Sequence, residues 1–423
     1  MSESDRSGEA VLARVRELPG GPELLRTVAG REDAELIGGA TRDLLLARNP
    51  RELDVLVESD AEQLARELAA ALAGEASTHE RFATAFVSWN AGRIDIATRR
   101  AESYPAPGAL PEVRAGSPTE DLQRRDFTVN TIAVGLAGAR AGRLRAAPDA
   151  LDDLRGGRLR VLHEQSFVDD PTRLLRLARY RARLGFIAEQ HTAELAADAL
   201  RAGVLRTVSA ARIGAELRLA LGEEEPVAAL ASLDELGVLA ALDPPLRLCA
   251  QLATRGVAAL PADGRRDLLL LACLLASIRS DAAAERQAAM RAFLDDLEFA
   301  AGDRDRAIRA ALLAPGLVES LAAAHTASQL REAVRGAPLE AIALAAALDE
   351  REPPAPAASG ARRWLEELRH VHLQISGDDL LAAGLAPGPE IGRRLDAVLD
   401  MRLDGELDDA PQAQLRAALR VVA

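Results

Sequence analysis

Residues 36–58, LIGGATRDLLLARNPRELDVLVE, carry the densest chemistry of the chain. Strand residues alternate faces, so Leu53, Val55 and Val57 point one way while Glu52 and Asp54 stand side by side on the other. Two neighbouring carboxylates offer the hard oxygen ligands that Mg2+ takes. Gly38 and Gly39 precede a helical segment, where backbone N–H groups can approach a phosphate, and Arg42 lies one turn into that helix. Asp95 sits between Ile94 and Ile96 in RIDIAT, on the face opposite them, and is the natural third carboxylate. Taken singly, each has a plainer reading: turn chemistry for the glycines, a solvated strand face for the acids. Their order within one short unit is what points to a phosphate cradle beside a metal site.

The elements that must position these groups are legible in outline. A short apolar strand ends at the glycines, a helix with Leu44, Leu45 and Leu46 follows, Asn49 and Pro50 mark a turn, and ELDVLVE forms a second strand. After a helix over AEQLARELAAALAG, the runs FATAFVSW and RIDIAT, joined by Asn90, Ala91 and Gly92, read as a β-hairpin. The next stretch reads as loop up to Ser117 and then helix. Asp170 followed by Pro171 is a helix-start signature, with Asp as N-cap and Pro at the first helical position. Arg173, Arg176 and Arg179 then recur every three residues, with Leu174, Leu175, Leu177 and Ala178 to supply the buried side. From about residue 187 the chain reads as almost wholly helical, and REPPAPAASGARR, from Arg351, reads as an interdomain loop.

A chain of 423 residues suggests two or more domains. Its 48% hydrophobic residues suffice for a core, while only 3% are aromatic, and the Ala/Leu dominance favours packed helices. Every basic residue is arginine. A net charge of −13 argues mildly against wholesale nucleic-acid binding, although a local arginine stripe can bind phosphates on an acidic protein. Cys249 and Cys273 lie in apolar helical surroundings, form no metal motif, and read as buried thiols of a cytoplasmic protein. The acidic, polar N-terminus is unlike a signal peptide, and LLLLACLLASI, from Leu268, is shorter than the roughly 20 residues that span a bilayer. A soluble protein with no membrane partner is expected.

The opening stretch resembles the signature GGxVRDxLLGRxxxDxD of the class II tRNA nucleotidyltransferase and bacterial poly(A) polymerase family. It departs at Thr41, Ala47 and Glu52, and only the last, a Glu for the first metal-binding Asp, touches chemistry. RRDFTVNTIA is similar to the family's RRDFTxNAxA, and DDLRGGRLRVL, from Asp152, to its connector out of the catalytic domain. FVDDPTRLLR resembles the base-selecting motif EDxxR, with Asp169 for Glu. VSAARIGAEL, from Val208, resembles a neck motif, and ISGDDLLAAGLAPGPEIGRRLD the tail of longer bacterial members.

The resemblance implies an α+β fold. A mixed nucleotidyltransferase sheet of the polymerase-beta-like kind, with helices, occupies 34–150 after an extension over 1–33. An all-α neck (151–225), body (226–350), linker loop (351–364) and RNA-binding tail (365–423) follow. It further implies nucleotidyl transfer from CTP or ATP to a tRNA 3′-hydroxyl, building the CCA end and releasing pyrophosphate. Two Mg2+ ions would be held by Glu52, Asp54 and Asp95. Gly38, Gly39 and Arg42 would hold the triphosphate, Arg125 would contact the nucleotide, and Asp126 and Asn130 would shape the ribose surroundings. Arg176 and Arg179 would complete the nucleotide site.

The base-selecting motif has a chemical reason. Cytosine and adenine both present an amino donor beside a ring-nitrogen acceptor, so Asp170 can accept from the first while Arg173 donates to the second. Uracil and guanine present the opposite pattern. Enzymes of the same family that add only A, only CC or a poly(A) run share these motifs. A tRNA-binding protein weakened at Glu52 is the alternative from another class.

Overall fold

The computed structural model describes residues 7–58, 60–79, 84–349 and 355–421, and its chain divides into two units, 1–213 and 214–423.

The first unit opens with helices α1 (Gly8–Glu17) and α2 (Gly21–Thr27), capped by the Ser7 side chain and by Gly20 respectively. Strand β1 (Glu35–Ile37), helix α3 (Gly39–Leu45), strand β2 (Leu53–Val57) and helix α4 (Ala61–Leu72) follow. Strands β3 (Glu75–His79), β4 (Thr84–Trp89) and β5 (Gly92–Thr98) come next. The expected hairpin is β4–β5, paired antiparallel with Trp89 opposite Gly92, while Phe82 and Ala83 of that expectation lie outside the described residues. The region expected as loop contains a small antiparallel pair, β6 (Arg100–Ser103) and β7 (Glu112–Ala115). Helix α5 (Pro118–Gln123) is short and starts at a reciprocal capping box of Ser117 and Glu120. The helix expected to continue through RRDFTVNTIAV instead becomes a single turn at Thr128–Asn130 and then strand β8 (Ala133–Gly135). Its run of apolar residues fills a sheet buried on both faces, a pattern that periodicity alone does not separate from helix.

Strand β9 (Leu144–Arg145) completes a seven-stranded sheet in the order β3-β4-β5-β2-β1-β8-β9. Only the β2–β5 pair within it is parallel. One face is covered by α4, whose Leu64 and Leu68 are wholly buried. On the other, Ile37, Leu56, Leu122 and Ala133 form a small core. Asp54 and Asp95 share this second face at the end where Leu56 no longer covers it. Helices α6 (Ala150–Gly156), α7 (Ser166–Asp169), α8 (Thr172–Leu184) and α9 (Gln190–Arg201) follow, with a short parallel pair, β10 (Arg158–Leu159) and β11 (Ile187–Ala188). Helix α10 (Ala210–Leu221) follows, and Asp170 and Arg173, expected to select the base, belong to the same unit as the catalytic sheet.

Among its described residues the regular elements of the second unit are all helices: α11 (Pro226–Glu235), α12 (Ala250–Ala259), α13 (Arg266–Leu275), α14 (Ala283–Asp296), α15 (Ala301–Ala323), α16 (Ala327–Ala333) and α17 (Leu339–Leu348), then α18 (Pro356–Glu366), α19 (Gly377–Ala382), α20 (Pro389–Leu403) and α21 (Pro411–Arg420). Every residue of Leu268–Leu275 is buried, which explains why that apolar run shows no polar face. Among the described residues no helix is long and apolar enough to cross a membrane. Two expectations change here. Of the loop expected over 351–364, residues 351–354 lie outside the described residues and the chain is helix from Pro356, where α18 starts and buries Ala357, Ala358 and Ala361 against α15 and α17. Cys249, expected to be buried, is exposed at the N-cap of α12, whereas Cys273 is buried. The tail has its own core of Ile375, Leu380, Val398 and Ala418. Of its paired arginines, Arg394 binds Glu390 and the carbonyls of Ala418 and Leu419, tying α20 to α21, while Arg393 is exposed.

Candidate active site

The parallel register of β2 and β5 sets Asp54 directly opposite Asp95. Glu52 lies one residue ahead of β2, and the three side chains bring ligand oxygens within 4.8 Å of one another. Glu52 thus does not need to be inside the strand; its longer side chain reaches the site from the bend before it. Gly38 closes the other side with a backbone (φ 72°, ψ −133°) that L side chains rarely adopt. A Cβ there would lie 3.2 Å from Arg125 Nη1 and 3.7 Å from Asp54 Oδ2, and one at Gly39 would lie 3.8 Å from the same Asp54 oxygen. Both glycines therefore keep the space in front of the carboxylates open.

Burial and the Glu52 charge push the Asp54 carboxyl up to about 7; Arg125 and the Ala40 N–H oppose this, and Asp95 adds to it. Burial and Asp95 likewise raise Glu52. Three crowded carboxylates, two of them raised despite the neighbouring arginines, make a donor set that fits a divalent cation, since oxygen ligands and excess negative charge are what such ions bind. Arg125 donates to Asp121 Oδ2 at 3.1 Å, and its Nε is buried without a hydrogen-bond partner beside the glycine turn. That orphaned donor fits an anionic ligand at the same place.

Arg42, expected to meet the triphosphate, is buried among protein partners. Its side chain is 1% exposed; Nε and Nη2 donate to Asp43 Oδ1 at 2.8 and 2.7 Å, and Nη1 donates to Asn130 Oδ1. Its guanidinium lies 5.1 Å from the centre of the Tyr180 ring. Asn130 in turn donates to Asp126 Oδ1 at 2.8 Å, and Asp126 Oδ2 accepts from Arg176 Nε at 2.8 Å. Burial would raise Asp126, but Arg176 and the Asn130 hydrogen bond win and hold it near 2. Arg176 also donates to the Tyr180 hydroxyl at 3.0 Å, and Arg179, nearly buried, lies 6.0 Å from the ring centre. Arg183 closes the chain on Asp43 Oδ2 at 2.8 Å. The arginines of α8 thus form, with Asp43, Asp126, Asn130 and Tyr180, a braced layer behind the carboxylates.

Asp170 lies just before α8. Pro171 takes the cap position and the helix begins at Thr172, one residue later than expected. Asp170 Oδ1 accepts from the Thr172 N–H at 3.0 Å, from the Thr172 hydroxyl and from Arg212 Nη2 at 2.7 Å. Arg212 also donates to the Gly108 carbonyl at 3.0 Å, so it is a brace rather than a free lining group. Arg173 is buried, donating to Ser166 Oγ at 2.7 Å and to the Arg124 carbonyl at 2.8 Å. The Tyr104 hydroxyl donates to Glu102 and feels the charges of both Arg173 and Asp170, which places it beside the pair; burial pushes its pKa up to about 12, so it acts as a neutral donor. Tyr104, Tyr180, Asp43 and Arg93 were not singled out in the sequence. Arg93 alone had a signal, since residue i−2 on a strand shares the face of Asp95.

This sheet, with paired acids on neighbouring strands and a glycine turn opposite, has the arrangement of a nucleotidyltransferase head domain. The Poly A polymerase head domain matches residues 34–160. A CC-adding tRNA nucleotidyltransferase of Deinococcus radiodurans is 32% identical over 94% of this chain and 91% of its own. The chain belongs to the class II tRNA nucleotidyltransferase family, whose chemistry uses divalent metal ions. An A-adding tRNA nucleotidyltransferase of Halalkalibacterium halodurans is 42% identical, but over 49% of this chain and 49% of its own length, so the chain spans about half of that relative. Two further A-adding relatives are matched over 24% and 23% of theirs. Among solved structures, the Thermotoga maritima CCA-adding enzyme complexed with tRNA aligns over 98% of each chain at 26% identity and TM-score 0.76. CCA-adding enzymes solved with ATP and with CTP align similarly, at TM-scores 0.77 and 0.74.

Proposed function

We propose that this protein adds C and A nucleotides from CTP and ATP to the 3′ end of tRNA without a nucleic-acid template, releasing pyrophosphate. The observation that carries this is the facing of Asp54 and Asp95 across β2 and β5, completed by Glu52 and fronted by Gly38, Gly39 and Arg125. The solved relatives that hold tRNA, ATP and CTP support the choice of ligands. Mg2+ is the proposed metal, and a cytoplasmic location goes with tRNA as substrate.

In this reading the RNA 3′-oxygen attacks the α-phosphorus of the nucleotide and the bond to pyrophosphate breaks. Glu52, Asp54 and Asp95 would hold Mg2+, which when bound lowers the pKa of the attacking hydroxyl and stabilises the leaving oxygens. Gly38 and Gly39 leave room for the phosphates and Arg125 meets their charge. Arg42 acts through Asn130, keeping Asp126 and the α8 arginines in place. Asp170 takes the amino group of the base on Oδ2, because its three present contacts all fall on Oδ1. Arg173, braced by Ser166 and Arg124, offers its remaining N–H hydrogens to the ring nitrogen. The tail supplies RNA contacts.

The second reading, addition of CC or A alone, draws on the CC-adding name of the relative that matches nearly the full length. One experiment separates these. tRNA transcripts ending before the first C, the second C or the terminal A are incubated with each labelled nucleotide. Full CCA addition extends all three, a CC-adding enzyme leaves the last untouched, and an A-adding enzyme extends only the last. No incorporation on any end would leave the tRNA-binding protein.

A further inference from the structure

On the carboxylate face of the sheet, β4, β5 and β2 align two rows of side chains. Phe86, Asp95 and Asp54 form one, set by the registers Phe86 with Asp95 and Asp95 with Asp54. Ser88, Arg93 and Glu52 form the next, since Ser88 pairs with Arg93 and Glu52 precedes the Leu53–Ile94 pair. Arg93 is therefore a guanidinium set by register among the three acids. Its Nε and Nη2 both lie 2.7 Å from Asp95 Oδ1, and Nε lies 4.0 Å from Glu52 Oε2. The same guanidinium stacks 4.0 Å from the centre of the Phe86 ring, while about half of the side chain is open to solvent.

We propose that Arg93 is the internal counter-ion of the carboxylate site, competing with divalent cations for Asp95 and Glu52. The inference rests on the metal-site reading of those residues. Arg125 acts on Asp54 from the other side and Arg183 also acts on Glu52, but Arg93 is the guanidinium that touches Asp95 and lies 4.0 Å from Glu52. A cation taking the same oxygens meets a like charge a few ångström away and must displace it. Phe86 gives the guanidinium a flat surface beside the site, which holds it close without fixing it to another acid. Half exposure leaves it room to swing outward. Arg93 thus keeps the metal-free site from carrying three unbalanced charges and sets how much cation is needed to fill it.

Mn2+ binding to the full-length protein without nucleotide, followed by electron paramagnetic resonance, tests this directly. Arg93→Ala is expected to tighten Mn2+ binding roughly tenfold, the scale of removing one like charge at this range in a half-solvated site. Arg93→Lys keeps the charge but loses the two-nitrogen contact and is expected to fall between. Phe86→Leu removes the stacking surface while leaving Arg93 in sequence and is expected to tighten binding by a smaller factor. The increase in melting temperature on adding Mn2+ is expected to be larger in Arg93→Ala than in wild type. Unchanged or weaker Mn2+ binding in a folded Arg93→Ala overturns the counter-ion role. Loss of Mn2+ binding in wild type, or its persistence in Asp54→Asn, overturns instead the metal-site reading beneath it.

Discussion

Asp54 and Asp95 are partners in the parallel register of β2 and β5, so two residues 41 positions apart present their carboxylates from adjacent strands on one face. Neither can move without the sheet. Glu52 joins from the bend before β2 and has one more methylene than aspartate to span the same gap. Its oxygen ligands are unchanged in kind.

From this follows a contrast between two conservative changes. Asp54→Asn is expected to lower nucleotide transfer more than about a hundredfold, since loss of even an outer-sphere partner costs up to that much. Glu52→Asp is expected to retain or raise activity. Labelled incorporation on tRNA, with melting temperature as the folding control, measures both. An active Asp54→Asn would remove the carboxylates from the reaction.

The site carries its own pH dependence. With the Asp54 carboxyl pushed up to about 7, the acid form predominates below that pH, and a divalent cation must displace its proton. Apparent Mn2+ affinity is expected to fall by about tenfold per pH unit below 7 and to level off above 8. The metal-free protein carries the reverse sign: as pH rises from the ordinary value of 3.8 towards 7, this group increasingly opposes folding, and bound cation relieves it. Mn2+ titrations between pH 5.5 and 8.5 measure the first effect. A flat profile would mean that Asp54 is ionised throughout.

How far the sequence reaches is clearest at these residues. The two carboxylate strands, the glycine turn and the β4–β5 hairpin were legible because period-two alternation and turn residues are local signals. The burial of Arg42 was not legible, since its partners Asn130 and Tyr180 come from segments 88 and 138 positions away. The strand β8 was taken for helix because an apolar run has no period to read when both faces are covered. The loop expectation gives way from Pro356 onward for a similar reason: Pro356 starts a helix, and the small residues after it pack closely.

Arg42 gives a test of structural against binding roles. Arg42→Ala would leave Asp43 and Asn130 facing an empty buried site, a loss of about 3–5 kcal/mol for a broken buried pair. A group that met only the triphosphate would instead raise the nucleotide KM with little change in melting temperature. A strong fall in stability, measured by urea denaturation, is the expected outcome.

The two neighbouring arginines of α20 are expected to behave differently. Arg394→Ala lowers melting temperature, because its guanidinium joins α20 to α21. Arg393→Ala leaves stability unchanged and lowers the salt slope of tRNA binding by about one unit, as loss of one phosphate contact does. An unchanged slope would take the RNA role away from Arg393.

Base choice tests the pair beside α8. Asp170 does two structural jobs through one oxygen, holding the Thr172 N–H and pairing with Arg212. Asparagine can keep the first, because its carbonyl oxygen still accepts from the backbone, and it caps helices as well as aspartate. It cannot offer two acceptor oxygens, and its amide nitrogen would face the amino group of cytosine or adenine with a second donor. Asp170→Asn is therefore expected to fold normally and to lose roughly ten- to over a hundredfold of its preference for CTP and ATP over UTP and GTP, the range of about 1.5–3 kcal/mol for a charged hydrogen bond. Arg173→Ala is expected to relax the same preference but also to lower stability, since Ser166 Oγ and the Arg124 carbonyl lose their partner. Asp170→Asn is thus the cleaner probe. Incorporation of the four nucleotides is measured separately, with melting temperature alongside. A stable Asp170→Asn enzyme with unchanged selectivity would end the claim that Asp170 reads the base and leave it as a brace for α8.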